Sequence, residues 1–431
     1  MAKEYIDRLF DVQLDFYLRS VGAILITGPK GCGKSTTAKR HAKTVVDLMK
    51  YDTRSQYIAL AKAAPDKLLN IGEKPILIDE WQVISFLWNS IKENVDETGD
   101  FGQYILTGSV TDNTATDSLS GEENERHTGT GRIIKRMMRP LSLYESGDSN
   151  GSVSLSMLKK GDFTPAVSSA SIDDYAFYVC RGGWPLAMKQ EKDVALQQSV
   201  NYFEGLVSED LFSLKDVSIK RNEGRARKLL RSYSRFVGTQ APDAKIMQDL
   251  SESGDAIDKE TINNYLLALQ RLYAVEELEA WNPNLRSKTA IRTSNTRYFV
   301  DPSIAVSALG ATPESLFMDM NTFGFLFESL VIRDLRIYCD LLHAKLYHYR
   351  DKRGREADAV MEFNDGAWAL IEVKLGDQSD VDLAANNLRR LSEDITNHNA
   401  KPAFLLVVTK DHVAYQREDG VYVVPLGCLK P

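Results

Sequence analysis

The sequence has no long uncharged apolar stretch of the kind that crosses a membrane. Its opening, MAKEYIDRLF, holds acidic residues and lacks an apolar core, so no secretion signal is expected there. Cysteine is scarce: Cys32, Cys180, Cys339 and Cys428 are scattered without metal-type spacing, which excludes a zinc ribbon and predicts reduced thiols in a cytoplasmic protein. Low-complexity tracts and internal repeats are missing as well. Positive charge is not in excess: the formal net charge is -7, which excludes a surface coated for indiscriminate nucleic-acid binding. Only three stretches, 219–235, 284–297 and 345–355, are locally rich in Lys and Arg, and such stretches are most often solvated helix faces. At 431 residues the chain exceeds one compact core, and two to four domains are expected.

What is present begins with a strand. Gly22 to Thr27 reads as a short buried strand running into Gly28-Pro29-Lys30-Gly31-Cys32-Gly33-Lys34-Ser35, which fits the G-x-x-x-x-G-K-[ST] phosphate loop at every fixed position. Glycines let backbone amides converge on phosphate oxygens, and a following helix, expected over 36–49, adds a favourable dipole. Lys34 is expected on the β- and γ-phosphates of ATP, Ser35 on magnesium, and Thr36 beside the α-phosphate. A second strand, Pro75 to Glu80, ends in two acids, Asp79 and Glu80. Asp79 suits the outer shell of magnesium, and Glu80 is placed to act as general base on the attacking water. A third strand over 103–109 ends in small polar residues. Thr107, or alternatively Ser109, would sense the γ-phosphate, as the strand between the other two does in AAA-type ATPases. A hydrophilic stretch from Thr111 to Thr130 leads to Gly131-Arg132, then Arg136 and Arg139. Arg132 is the candidate for a finger reaching a neighbouring subunit's γ-phosphate, and a surface arginine indifferent to phosphate is the alternative.

With these residues in place, the chain resembles the prokaryotic AAA-type P-loop ATPases that carry a C-terminal restriction-endonuclease-like domain of unknown function. The resemblance is carried by Tyr5-Ile-Asp-Arg-Leu9, the phosphate loop, Leu77-Ile-Asp-Glu-Trp-Gln82, Ile105-Leu-Thr-Gly-Ser109, Gly131-Arg132, Pro140-Leu-Ser-Leu-Tyr-Glu145 and Gly182-Gly-Trp-Pro185. Ser35 departs from the usual threonine, and the loop before Arg132 is extended. The resemblance implies an α/β multidomain architecture: an ATPase core over 1–145, a helical lid over 146–237, a winged helix over 238–305 and a restriction-endonuclease-like domain over 306–431. It also implies a homo-oligomer, most naturally a hexameric ring, working on ATP and ADP away from the membrane. In the lid, the turn 182–185 would lie near the nucleotide with Arg181 contributing; a plain interhelical turn is the alternative.

The later segments have patterns of their own. Residues 245–281 look like a winged helix-turn-helix: 246–250 suggest a short helix, and Asp258 or Thr261 would cap a second one carrying Ile262, Tyr265, Leu266, Leu269 and Leu272 at helical spacing. Its outer face offers Asn263, Asn264, Gln270 and Arg271, a weak base-reading set, so docking or scaffolding is favoured over sequence-specific reading. From 323 onward the order helix, strand, strand, strand, helix, strand is that of a restriction-endonuclease-like core. Asp358 opens one strand, and Glu372 and Lys374 fall two apart at the end of the next, on one face. With Glu328 on the preceding helix they would form an oxygen-ligand site for a second Mg2+ or Mn2+, with Lys374 orienting or deprotonating water. The basic turn 350–355 would suit a DNA phosphate backbone. A cluster of acids at strand ends that has lost any cleavage activity is the alternative, leaving a nucleotide-controlled switch or scaffold.

Overall fold

The computed structural model describes residues 5–108, 130–214, 217, 219–252, 254, 258–283, 294–351, 353–396 and 401–431. The chain divides into two compact units. One comprises 7–140 with 271–273, and the other takes the rest of the described chain.

The first unit is a five-stranded parallel sheet with helices on both faces. Its strands are β1 (Ala23–Thr27), β2 (Thr44–Asp47), β3 (Ile76–Asp79), β4 (Tyr104–Thr107) and β5 (Ile133–Met137), in the order β2-β3-β4-β1-β5. Every residue of β1, β3 and β4 is buried, the near-continuous apolar reading expected of central parallel strands covered on both sides. Two packed clusters flank them. Trp81, Leu87, Trp88 and Ile91 lie with Leu25, Ile78 and Leu106 on one face, and Phe10, Leu14, Ala38 and Met138 lie with Ile24, Ile26 and Leu77 on the other. The third predicted strand therefore lies between the other two.

The helix expected over 36–49 is shorter than the sequence implies. It runs Lys34–His41 and stops at Ala42, which is extended; residues 44–47 form the edge strand β2, paired in register with β3 from Thr44–Ile76 to Asp47–Asp79. The β-branched pair Val45-Val46 favours a strand once a partner is available.

The second unit holds helices and a mixed sheet. The segment 146–237, expected to be a helical lid, also contributes two short strands, β6 (Val153–Ser154) and β7 (Ala166–Val167). The main helices there are Ile172–Arg181, Lys192–Gly205 and Glu223–Arg235. Helices Asp243–Glu252 and Lys259–Arg271 bury Ile246, Leu250, Ile262, Tyr265 and Leu269, with Leu266 half-buried. Asp258, not Thr261, is the cap, accepting the Thr261 amide at 2.7 Å.

After the helix Met320–Leu341 come β8 (Ala344–Arg350), β9 (Glu356–Phe363), β10 (Trp368–Lys374), the helix Gln378–Thr396, β11 (Phe404–Thr409), β12 (Val413–Gln416), β13 (Tyr422–Pro425) and β14 (Leu429–Lys430). Seven strands form the sheet β7-β12-β13-β11-β10-β9-β8, while β14 pairs with β6. Val381, Ala384, Ala385, Leu388, Leu391 and Ile395 recur at helical spacing along one face of Gln378–Thr396 and pack on Val360, Leu370, Val407 and Val423 of the sheet. β7, which pairs with β12 through Ala166 and Val167, shows that a segment before 172 completes this sheet's edge.

Candidate functional site

The phosphate loop leaves the C-terminal end of β1, and β3 and β4 end beside it, so three parallel strands deliver their last residues to one place. Gly28 has φ 140°, and a Cβ there would meet the carbonyl oxygen of Met138 at 2.1 Å. No other residue fits that turn. Gly33 caps the helix Lys34–His41 with φ 104°. Lys34 is buried, and its Nζ donates to the carbonyls of Gly28 and Pro29, each at 2.9 Å. Lys30, Gly31 and Thr36 are exposed around the loop, whereas Cys32 is fully buried and its thiol donates to the Met138 carbonyl at 3.3 Å.

Behind the loop lies the acid. Ser35 Oγ donates to Asp79 Oδ1 at 2.7 Å, Thr107 donates to the same oxygen at 2.5 Å, and the Glu80 amide donates to Thr107 Oγ1 at 3.2 Å. The structure thus brings Ser35, Asp79, Glu80 and Thr107 together. Ser109 and nearly all of the stretch 111–130 lie outside the described residues. Glu80 has φ 59°, a left-handed conformation uncommon for a non-glycine residue, and its carboxylate accepts from Gln82 Nε2 at 2.5 Å. A hydroxyl and a carboxylate 2.7 Å apart at the end of a phosphate loop fit magnesium, which is usually held by one or two protein oxygens together with substrate phosphates. That mode needs no all-protein cage. Among the described residues, no group of three or more His, Cys, Asp or Glu could hold a metal by itself.

Arg132 is elsewhere. It precedes β5, and its carbonyl accepts the amide of Ala23 at the start of β1, so it lies at the end of the sheet opposite the phosphate loop, with its side chain paired to Asp96. It cannot serve the nucleotide of its own chain.

Three residues near the loop escaped sequence reasoning. Arg8 is buried and donates to the Cys32 carbonyl at 2.8 Å and the Arg139 carbonyl at 2.7 Å, bracing the loop from below. The only signal was its place in Tyr5-Ile-Asp-Arg-Leu9. Lys39 Nζ stands 3.2 Å from Asp79 Oδ2 and 3.1 Å from Asp47 Oδ2. Burial is the largest single influence on the Lys39 ammonium and lowers its pKa, but the contacts and charges of the two carboxylates together outweigh it and hold the pKa above the ordinary lysine value. Asp47 was hidden by the expectation of a helix through 49.

The second unit assembles the other set. Lys374 Nζ lies 3.0 Å from Glu372 Oε1, and Asp358 Oδ2 accepts the Val373 amide at 2.7 Å. Glu328, on Met320–Leu341, accepts from the Tyr298 hydroxyl, a partner the sequence did not suggest. Glu372 is 7 % exposed, and its Oε2 has no hydrogen-bond partner among the described residues. Three carboxyls surround one ammonium. Enclosure and the neighbouring Asp358 raise both Glu328 and Glu372, the latter to about 8. Enclosure raises Asp358 too, against the pull of Lys374. Asp358 and Glu372 hold Lys374 above the usual lysine range despite burial that works the other way.

The three arginines of the basic turn expected to face phosphate are already paired with acids, while Lys352 lies outside the described residues. Arg350 pairs with Glu356 at 3.4 Å, Arg353 with Asp394 at 3.6 Å, and Arg355 with Asp351 and Asp394. Arg181 is likewise committed, 2.6 Å from Asp148 and stacked near Tyr178. The turn after it packs tightly in the second unit: Gly183 donates to Asp301 at 2.9 Å, and Trp184 Nε1 donates to Ser303 at 2.9 Å.

Comparison with known proteins agrees with the first unit. Residues 20–146 match the family model described as AAA domain. Residues 172–315 and 323–429 match two families described as domains of unknown function, DUF8612 and DUF4143 respectively. No curated protein matches the chain. Among solved structures, a Walker-type ATPase of Pyrococcus abyssi is similar at 14% identity, covering 71% of this chain and 97% of that one, with a TM-score of 0.41. The replication initiator DnaA bound to AMPPCP and single-stranded DNA is similar at 12% identity, covering 61% of this chain and 86% of that one, with a TM-score of 0.25. Residues 20–146 therefore form an AAA-like P-loop ATPase domain. Among the described residues, no helix is long and apolar enough to cross a membrane.

Proposed function

We propose that the chain binds ATP with Mg2+ and hydrolyses it at the first unit's phosphate loop. The observation that carries this reading is the convergence of Ser35 and Thr107 on one oxygen of Asp79, with Lys34 buried in the loop beside them. Lys34 would exchange the Gly28 and Pro29 carbonyls for the β- and γ-phosphates, and Thr36 would contact the α-phosphate. Ser35 and Asp79 would hold magnesium, which neutralises phosphate charge as the terminal phosphoryl group transfers. Thr107 touches both Asp79 and the Glu80 amide, which supports its role as reporter of the γ-phosphate. Glu80 is the general base, restrained by Gln82 until water and nucleotide are in place. Arg132, remote from its own loop, would act on a neighbouring subunit's nucleotide in a homo-oligomeric ring. Phosphate release by the full-length protein tests the reading, and a wild-type rate no higher than that of Lys34→Ala would sink it.

What hydrolysis drives is assigned to the second unit, with 146–237 as lid, 238–305 as winged helix and 306–431 as a restriction-endonuclease-like domain that processes DNA. The support is the gathering of Glu328, Asp358, Glu372 and Lys374 on adjacent elements, with one buried carboxylate oxygen of Glu372 unpartnered. Two carboxylates and a backbone carbonyl would hold a divalent cation, and Lys374 would orient the water. The pairing of Arg350, Arg353 and Arg355 with acids favours the other reading, a nucleotide-controlled switch that binds protein partners. Incubation with single- and double-stranded DNA in Mg2+ or Mn2+ separates them. Cleavage lost in Asp358→Ala establishes the first reading; ATP turnover indifferent to DNA, with no cleavage, establishes the second.

A further inference from the structure

We propose that Lys39 and Asp47 form a clamp on Asp79, with Lys39 as a positioning residue of the nucleotide site that restrains the site's pull on a free divalent cation. The proposal rests on the ATPase reading and names what governs cation entry to that site.

The clamp follows from the correction at β2. Asp47 and Asp79 are the last residues of adjacent parallel strands and are register partners, so their side chains emerge side by side on one face. Two carboxylates so placed repel each other. Lys39 follows Ser35 by four residues on the same helix, hence on the same helical face, and its ammonium enters between the acids at 3.1 Å and 3.2 Å. Asp47 is itself fixed, its Oδ1 accepting the Met49 amide at 3.0 Å. Each oxygen of Asp79 is thereby committed: Oδ1 to Ser35 and Thr107, Oδ2 to Lys39. The carboxylate cannot turn without breaking a charged contact on one side or two hydroxyl contacts on the other.

Two consequences follow. Lys39 keeps Oδ1 facing the Ser35 hydroxyl, the geometry that magnesium and phosphate require. Its positive charge also offsets Asp79, so the site holds a cation weakly until nucleotide phosphates add negative charge. Cation and nucleotide then enter together.

The test uses full-length wild type, Lys39→Met and Lys39→Arg. Lys39→Met retains most of the apolar stem and removes the charge, and the side chain is 43% exposed, so folding should survive. Mn2+ binding to the nucleotide-free protein is read by electron paramagnetic resonance. Lys39→Met should bind Mn2+ roughly fivefold more tightly than wild type, the scale of one unit charge a few ångströms away in a wet site. Lys39→Arg should bind as wild type does. In steady state Lys39→Met should lower kcat about tenfold with little change in KM, because the misalignment is felt in the transition state. Unchanged Mn2+ affinity in Lys39→Met, or no detectable binding to either protein, overturns the clamp. A wild type that hydrolyses no ATP would defeat the ATPase reading and leave the Mn2+ comparison valid.

Discussion

The ammonium of Lys34 donates to the carbonyl of Gly28 at 2.9 Å, six residues back along the same loop, and to Pro29 at the same distance. The loop is thus closed on its own lysine, with the buried cation satisfied by backbone oxygens rather than by an acid. On the proposed reading, nucleotide displaces those contacts, and the lysine changes partner without changing place. Lys34→Ala should therefore abolish the rise in thermal midpoint that ATP gives the wild type. It should also cut turnover at least a hundredfold, the order seen when one preorganised donor to a developing charge is removed. Differential scanning fluorimetry with and without MgATP checks the first outcome, and phosphate release checks the second.

Glu80 and Lys34 should separate cleanly. Glu80→Gln keeps size and hydrogen bonding but cannot take a proton, so binding should persist while kcat falls by about 10²–10⁴. Equilibrium binding of a fluorescent ATP analogue should give a dissociation constant within threefold of wild type. A Glu80→Gln protein with full turnover would remove Glu80 from the role of base.

The parts of the site that were legible are those fixed by spacing along the chain. The loop 28–35 and the acids at 79–80 announce themselves because one stretch of backbone must contact phosphate and one strand must end in a carboxylate. The strands holding Asp358 and Glu372 were legible too, since each is a short, mostly apolar run that the structure buries in the sheet. Asp47 was not: Val45 and Val46 fit either a helix or a strand, and only pairing with β3 decides the matter. Arg8 was invisible because its partners are backbone carbonyls 24 and 131 residues away, which no side-chain pattern records. The arginines of 350–355 misled for a related reason. Their acids include Asp394, from a helix about forty residues later.

The second unit contains a buried ion network whose removal should be costly. Arg333 is 1% exposed in its side chain and pairs with Asp301 at 3.0 Å and Asp334 at 2.7 Å, both fully buried. The acids also accept backbone amides, Asp301 from Gly183 and Asp334 from Leu143, each at 2.9 Å. One guanidinium thus ties the turn 182–185 and the segment after 140 to the long helix 320–341. Arg333→Met leaves two buried carboxylates facing each other and should destabilise this unit by about 3–5 kcal/mol, the usual cost of breaking a buried pair from one side. Urea unfolding followed by far-ultraviolet circular dichroism would detect it, and a shift under about 1 kcal/mol would show the network to be dispensable.

His41 gives the phosphate-loop helix a pH dependence of definite sign. Its Nε2 lies 2.8 Å from Asp11 Oδ1, and its Nδ1 lies 2.8 Å from Asp15 Oδ1; both acids belong to the helix Leu9–Leu18. The bond to Asp11, opposed by partial burial and reinforced by the charge of Asp15, holds the imidazolium above its ordinary value of 6.5. His41 also occupies the last turn of its own helix, where a cation is favoured. A histidine whose folded pKa is raised binds its proton more tightly when folded. Its stabilisation is complete below about pH 6.5 and fades as pH climbs through the raised folded value. Replacing His41 with Gln removes that contribution. The difference in thermal midpoint between wild type and His41→Gln should be largest near pH 6 and shrink steadily toward pH 8.5. Taking the difference cancels other groups that titrate in that window, including Glu372 near 8. A gap that stays constant or widens with rising pH would mean that the imidazole is held neutral between the two carboxylates, as a hydrogen-bonding spacer and not as a charge.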